Sequence, residues 1–235
     1  MAGVLYGVGV GPGDEELITE KAMRILNSVE VVVAPKSQGA KESLALSVVK
    51  EKLREDVEIL ELEFPMTKDK TALEKAWGNA VERIHGILAE GKDVAFPTIG
   101  DPFFYSTFIH VMGGMKALHP EIEVRAVPGV TSLSACAVDL GRPLGEGDER
   151  IAILPATYGI SDISEIADSF DTIVLMKVSR NYEGIVRELE RTGLKERAVL
   201  VGRCGTDEYF SSPLDEALGG KVDYFSMIII RGARP

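Results

Sequence analysis

The chain has 235 residues, 45% of them apolar and 27% charged, the proportions of an ordinary globular protein with room for one large or two modest cores. Acidic side chains outnumber basic ones 37 to 26, for a net charge of −11, and no basic cluster interrupts that excess. A nucleic-acid surface is therefore excluded, because such surfaces neutralise phosphates with grouped Lys and Arg. The longest apolar runs, such as Met227-Ile228-Ile229-Ile230, are too short to span a bilayer. Met1-Ala2-Gly3 leads straight into Val4-Leu5-Tyr6 without a basic n-region, so neither a signal peptide nor a membrane partner is expected and the expected location is cytoplasmic.

In chain order, Leu5 to Val10 is a short apolar run that ends in the turn Gly11-Pro12-Gly13. Asp14 is placed to cap the helix that follows, whose apolar positions Leu17, Ile18, Ala22, Ile25 and Leu26 recur at helical spacing. Val29 to Ala34 reads as the next strand, with Pro35 as its end. Ser43 to Leu53 reads as helix and Val57 to Phe64 as strand. A longer helix carries Leu73, Ala76, Trp77, Ala80, Val81, Ile84 and Leu88 on one face. Asp93 to Ile99 is a buried strand, and Ile122 to Val127 alternates before Pro128-Gly129.

The second half repeats the theme. Strands are expected at Ile151–Leu154, Thr172–Met176, Ala198–Val201 and Phe225–Ile230, with helices near Ile163–Phe170 and Tyr182–Thr192 between them. Strands alternating with helices predict an α/β fold of two lobes with mostly parallel sheets. The lobes are expected to be residues 1–127 and 128–235.

Cys136 and Cys204 are too few and too widely spaced to suggest a disulfide framework, and His85, His110 and His119 show no metal-ligand spacing with one another. All five are expected to be structural or incidental, and no metal is expected.

Three loops follow strand ends, where open α/β sheets place their ligands. The first, Gly7-Val8-Gly9-Val10-Gly11-Pro12-Gly13-Asp14, fails as a dinucleotide fingerprint, because the third glycine of G-x-G-x-x-G falls on Pro12 or Asp14. It is a close-approach loop or a tight packing turn. The second, Thr98 to Thr107, puts Asp101 directly after an apolar strand with Phe103, Phe104 and Tyr105 behind it. Asp101 there serves a ligand or caps a helix. The third, Val127-Pro128-Gly129-Val130-Thr131-Ser132, offers two hydroxyls to a ligand or to helix capping.

In this order and spacing the segments GVGPGD, GDPFFYST and PGVTS resemble the tetrapyrrole methylase family, and the similarity runs essentially end to end. LYGVGVGPGD, VVVAPKS with ESLALS, FPMTKD, the helix around Trp77 and PLGEGDERIAILPA resemble in particular its C20-methyltransferases of corrin synthesis. The resemblance implies a methyltransferase that uses S-adenosyl-L-methionine, releases S-adenosyl-L-homocysteine, and acts on C20 of precorrin-2 or cobalt-factor II. It also implies a homodimer with the cofactor folded between the lobes. Carried over by motif, Pro12, Ile99, Gly100, Asp101, Phe104, Thr131 and Ser132 line the cofactor from the first lobe. Met176 and Gly205 do so from the second, although Arg203 and Cys204 depart from the family's commoner residues beside Gly205. Ser226 and Met227 are further neighbours of the adenine, and Met176 alone would read as a gap-filling core methionine.

A sulfonium methyl is already an activated electrophile, so the protein must align the attacking carbon, exclude water and accept the proton that leaves. Alignment supplies up to ~7–11 kcal/mol in favourable cases. Asp101 is the first candidate for the proton acceptor, ahead of Tyr105 and His110. The substrate carries many carboxylates, and some of Lys36, Arg142, Arg150 and Lys177 are expected to meet them.

Other readings are a dinucleotide-dependent oxidoreductase, a non-catalytic S-adenosylmethionine sensor, and other methyltransferases of the family acting on uroporphyrinogen or another precorrin. The first is opposed by the broken glycine pattern. Glu30 also stands at the start of the second strand, where the dinucleotide motif needs an acid at the end.

Overall fold

Buried parallel strands read as continuous apolar runs, and the run Leu5–Gly9 forms β1 at the heart of such a sheet. A computed structural model of the chain describes residues 1–65, 67, 69–157 and 159–232. Two compact units divide it, Met1–Ser132 and Leu133–Pro235. Met66 and Lys68, which belong to the FPMTKD segment, lie outside the described residues.

In the first unit β1 is joined by β2 (Val31–Ser37), β3 (Glu58–Phe64), β4 (Val94–Thr98) and β5 (Val124–Val127). The order is β3-β2-β4-β1-β5, every pairing parallel. Alternate residues of each strand feed opposite faces. Leu5, Val31, Val33, Val94 and Phe96 pack with α3 (Lys70–Ala89) and α4 (Phe108–Leu118). Tyr6, Val8, Val32, Ala34 and Ala95 pack with α1 (Glu20–Leu26) and α2 (Leu44–Val49). Gly7 makes room for the Phe108 ring, which a Cβ would meet at 2.2 Å.

Two local expectations are corrected. Pro35 lies inside β2, not at its end. The β2–β4 ladder runs only from Val31 to Val32, so by Pro35 that edge has no bond for the missing N–H to make. Asp14 caps only the 3-10 turn Glu15–Leu17, through Glu16 N–H. Thr19 caps α1, its hydroxyl accepting from Ala22 N–H at 3.1 Å.

The histidines meet through packing and not through sequence spacing. His85 of α3 and His119, the residue after α4, stack ring on ring with centroids 3.5 Å apart. The two helices pack side by side, so positions far apart in sequence become neighbours. His110 stacks on Trp77 across the same pair of helices.

The second unit holds β6 (Ile151–Pro155), β7 (Thr172–Met176), β8 (Ala198–Gly202), β9 (Phe210–Ser212) and β10 (Ser226–Arg231), in the order β6-β7-β10-β8-β9. Only β6–β7 is parallel. β10 runs antiparallel to both β7 and β8, and β8 runs antiparallel to β9. The α/β class and the two sheets agree with the sequence, but this sheet departs from the parallel expectation. A short loop joins β8 to β9, and short loops join antiparallel neighbours. The last strand then returns between β7 and β8.

Between these elements α6 (Ile163–Ala167) and α7 (Tyr182–Arg191) cover a core of Ile163, Ile173, Leu175, Ile185, Leu189 and Ile228. The buried Tyr182 hydroxyl donates to the Leu214 carbonyl at 2.7 Å. On the other face, α5 (Ser132–Asp139) places Cys136 against Cys204, and the two form a disulfide across 68 positions. The pair was not expected, because spacing says nothing about which loop a helix will meet. Among the described residues no helix is long and apolar enough to cross a membrane.

Candidate functional site

The three motif loops of the first unit meet at the carboxyl ends of β1, β4 and β5. Val10 N–H donates to the Thr98 carbonyl at 3.0 Å, and Gly100 N–H donates to the Gly11 carbonyl at 2.7 Å. Gly11 and Gly100 both lie in the left-handed region, at φ 77° and 72°. Pro12 is buried between Gly11 and Gly13.

Absent side chains make this convergence possible. A Cβ at Gly9 would lie 2.6 Å from the Gly100 carbonyl oxygen, and one at Gly129 would lie 2.2 Å from it. The first and third loops therefore close on the second backbone to backbone. Gly100 is different: the nearest atom to its Cβ position is Thr131 Cα at 3.8 Å, then Ser132 N at 4.0 Å.

Asp101 locks the arrangement. Its Oδ1 accepts from Phe103 N–H at 2.8 Å, fixing the local turn, and its Oδ2 accepts from Gly129 N–H at 3.1 Å, tying the second loop to the third. It does not cap a helix, since α4 starts only at Phe108. The rest of the loop is braced by Thr98 and Ser106, whose hydroxyls lie 2.9 Å apart, with Ser106 Oγ accepting from Phe108 N–H at 3.1 Å. Phe104, half-buried, packs edge-on against Tyr105, which holds φ 53°. Phe103 is 55% exposed.

The predicted residues of the second unit sit at the corresponding end of its sheet. Met176 closes β7 opposite Met227 of β10, and Lys177 follows in the left-handed conformation at φ 60°. Burial, reinforced by the neighbouring Arg180 charge, lowers the Lys177 pKa. Gly205 (φ 70°) donates its N–H to Asp139 Oδ2 at 2.7 Å.

The two departures from the family pattern beside Gly205 have structural jobs. Arg203 is clamped by Asp223 at 2.9 Å and Glu208 at 2.6 Å, and Cys204 forms the disulfide. Asp139, Asp223 and Glu208 were missed from the sequence, where they are unremarkable members of the acidic excess. Ser226, at the start of β10, is 3% exposed, and its Oγ has no hydrogen-bond partner among the described residues.

The expected carboxylate ligands divide. Lys36 lies near the carboxyl end of β2 but is paired with Glu61 at 3.3 Å and Glu63 at 3.6 Å. Lys177 stands beside Met176. Arg150 precedes β6 and Arg142 lines a groove with Arg231 and Ala198, so both occupy the opposite edge of their sheet from Met176 and Gly205.

Close-packed glycine loops at the carboxyl ends of a parallel sheet, tied together by one carboxylate, define an α/β protein whose strand-end loops stand where open α/β sheets place ligands. The sequence pattern of the Tetrapyrrole (Corrin/Porphyrin) Methylases matches residues 4–217, and the chain belongs to that family. It is 37% identical to a probable cobalt-precorrin-2 C(20)-methyltransferase of Methanocaldococcus jannaschii, covering 97% of this chain and 95% of the relative. It is 31% identical to a precorrin-2 C(20)-methyltransferase of Sinorhizobium sp, covering 98% and 96%. Among solved structures it resembles uroporphyrin-III C-methyl transferase from Thermus thermophilus complexed with S-adenyl homocysteine. That match has a TM-score of 0.66 and 25% identity, and covers 98% of both chains.

Proposed function

We propose that this protein transfers a methyl group from S-adenosyl-L-methionine to C20 of a precorrin-2-type tetrapyrrole in cobalamin biosynthesis. The observation that carries the proposal is the near-full-length identity to two relatives named for that reaction. The convergence of the three motif loops on Gly100 and Asp101 supports the proposal.

The residues present fit such a cofactor. The glycines at 9, 100 and 129 let three loop backbones approach one another closely at the strand ends, the kind of main-chain surface that a ligand held by backbone contacts requires. In the second unit the orphaned Ser226 hydroxyl is a buried polar group in want of a partner, and native proteins rarely leave one so. Pro12, Ile99, Gly100, Asp101, Phe104, Thr131 and Ser132 would hold the cofactor from the first unit, and Met176 and Gly205 from the second. When bound, the cofactor supplies a methyl group activated by its sulfonium.

The chain's own work is positional. Asp101 holds the second and third loops in register, and we assign it the further role of accepting the C20 proton. Each of its oxygens keeps a lone pair beyond the bond it already accepts. Phe104 and Tyr105 bring apolar surface to the same loop and help to exclude water. Lys177 is the expected cation best placed for a substrate carboxylate. A cytoplasmic homodimer is proposed with this reading, on the strength of the family resemblance.

Equilibrium dialysis with labelled S-adenosyl-L-methionine tests the first step. Saturable binding displaced by S-adenosyl-L-homocysteine is expected, and absence of binding would remove the basis of the proposal. Binding without transfer to any tetrapyrrole would favour the sensor reading.

A further inference from the structure

At the amino-terminal edge of the first sheet, opposite the motif loops, α3 and the segment after α4 bring together a group that the proposed reaction does not use. Glu82 and His85 are three apart on α3 and share a face. His119 follows α4 directly, and its N–H donates to the Met115 carbonyl at 2.8 Å, which fixes the backbone there. Glu121 lies two residues further on, ahead of β5.

Glu82, His85 and His119 converge, with Glu121 alongside. His119 Nε2 lies 3.1 Å from Glu82 Oε1, and its Nδ1 lies 3.9 Å from Glu121 Oε1. His85 Nε2 lies 3.7 Å from the same Glu121 oxygen. One ligand atom from each of Glu82, His85 and His119 falls within 4.8 Å of the others. The imidazoles form a sheltered floor, 27% and 17% exposed, while the carboxylates stand at the rim, 60% and 62% exposed.

We propose that this cluster is a binding site for a late first-row divalent metal ion, of which Zn²⁺ is the representative. The chemistry of the donors decides the class. Two imidazoles with one carboxylate, the remaining position left to water, suit Zn²⁺, Co²⁺ or Ni²⁺, whereas Ca²⁺ and Mg²⁺ take oxygen shells. Ligands on one such ion lie about 2.0–2.2 Å from it, so the present spread must close modestly. Glu82 closes it by rotamer change, and the rings turn out of their parallel stack to aim their lone pairs at one point. A chain of net charge −11 favours the cation further. Placed here, the ion staples α3 to the connection between α4 and β5, far from the strand ends that carry the motif loops. Its role is structural.

The test is titration of chelator-stripped, non-reduced protein with Zn²⁺ by calorimetry and by competition with a chromogenic chelator, alongside thermal unfolding. A single saturable equivalent per chain and a raised Tm are expected. His85→Asn and His119→Asn should each weaken binding by about tenfold or more and abolish the Tm rise. Glu82→Gln leaves the stacked rings in place, so it reports on the site even if a histidine variant folds poorly, and it should also weaken binding. Co²⁺ should give visible d–d absorption that the variants lose. No saturable binding, or binding unchanged in His85→Asn, His119→Asn and Glu82→Gln, would overturn the proposal.

Discussion

Asp101 Oδ2 accepts a hydrogen bond from Gly129 N–H at 3.1 Å, joining two loops that are 28 positions apart in the chain. The other oxygen accepts from Phe103 N–H, so one carboxylate sets a turn and tethers a neighbour. Asp101→Asn keeps a single oxygen acceptor and turns an NH₂ group toward one of these donors. Hydrogen bonds to charged groups contribute about 1.5–3 kcal/mol, so cofactor affinity should fall roughly 10–100-fold. Turnover at saturating cofactor should fall as well if Asp101 takes the proton. Single-turnover kinetics separate the two effects, and an unchanged rate at saturation would leave Asp101 as a positioning residue alone.

Gly129→Ala tests the backbone contact that Asp101 secures. The added methyl would sit 2.2 Å from the Gly100 carbonyl oxygen, and neither backbone can yield without moving a motif loop. Overpacking of this kind costs roughly 1–3 kcal/mol, and cofactor binding should be lost along with it. Gly78→Ala, in α3 with open space around its Cβ position, is the control. It should stabilise by about 0.5–1 kcal/mol, read as opposite Tm shifts for the two variants.

The Cys136–Cys204 disulfide closes a loop of 68 positions and anchors the segment that presents Gly205. Loop-closure entropy gives an upper bound of roughly 4 kcal/mol for a ring of that size. Cys136→Ser, or reduction of the wild type, should lower the denaturation midpoint substantially and make Gly205 N–H exchange faster with solvent. Equal stability of oxidised and reduced protein would show that the surrounding core of Val174, Val201 and Met227 holds the loop without the bond.

Tyr182 predicts an alkaline limit to stability. Burial, with the Asp215 charge adding to it, raises its pKa from 10.0 to about 12. The folded state therefore holds the phenolic proton more tightly than the unfolded chain. That contribution is complete below pH 10 and is lost as the pH climbs toward 12, amounting to roughly 2–3 kcal/mol. Tyr182→Phe should be less stable at neutral pH, since the Leu214 carbonyl loses its donor, and should show a shallower decline above pH 10. Parallel alkaline declines in the two proteins would contradict this.

Much of the fold was legible because its central strands are buried on both faces. Thr172–Met176 was read to the residue, and Val94–Thr98 lies within the predicted Asp93–Ile99. Strand direction was not legible: periodicity at Phe225–Ile230 is the same for either orientation, so the antiparallel seat of β10 between β7 and β8 left no signal. The motif loops were legible because glycine at a strand end has few other uses. Their anchors were not. Asp139, which holds Gly205, and Asp223, which clamps Arg203, are two of 37 acidic residues with no distinguishing spacing. The Cys136–Cys204 and His85–His119 pairs were invisible for a related reason, since each is made by packing between elements distant in sequence.

The central claim is transfer of a methyl group to C20. The direct measurement incubates the purified protein anaerobically with methyl-labelled S-adenosyl-L-methionine and either precorrin-2 or cobalt-factor II, and locates the label by NMR of the product. The account predicts one new labelled methyl group at C20, with the relative rates showing whether the metal-free or the cobalt-bearing substrate is preferred. Label at another carbon, or cofactor binding with no transfer to either tetrapyrrole, would contradict it.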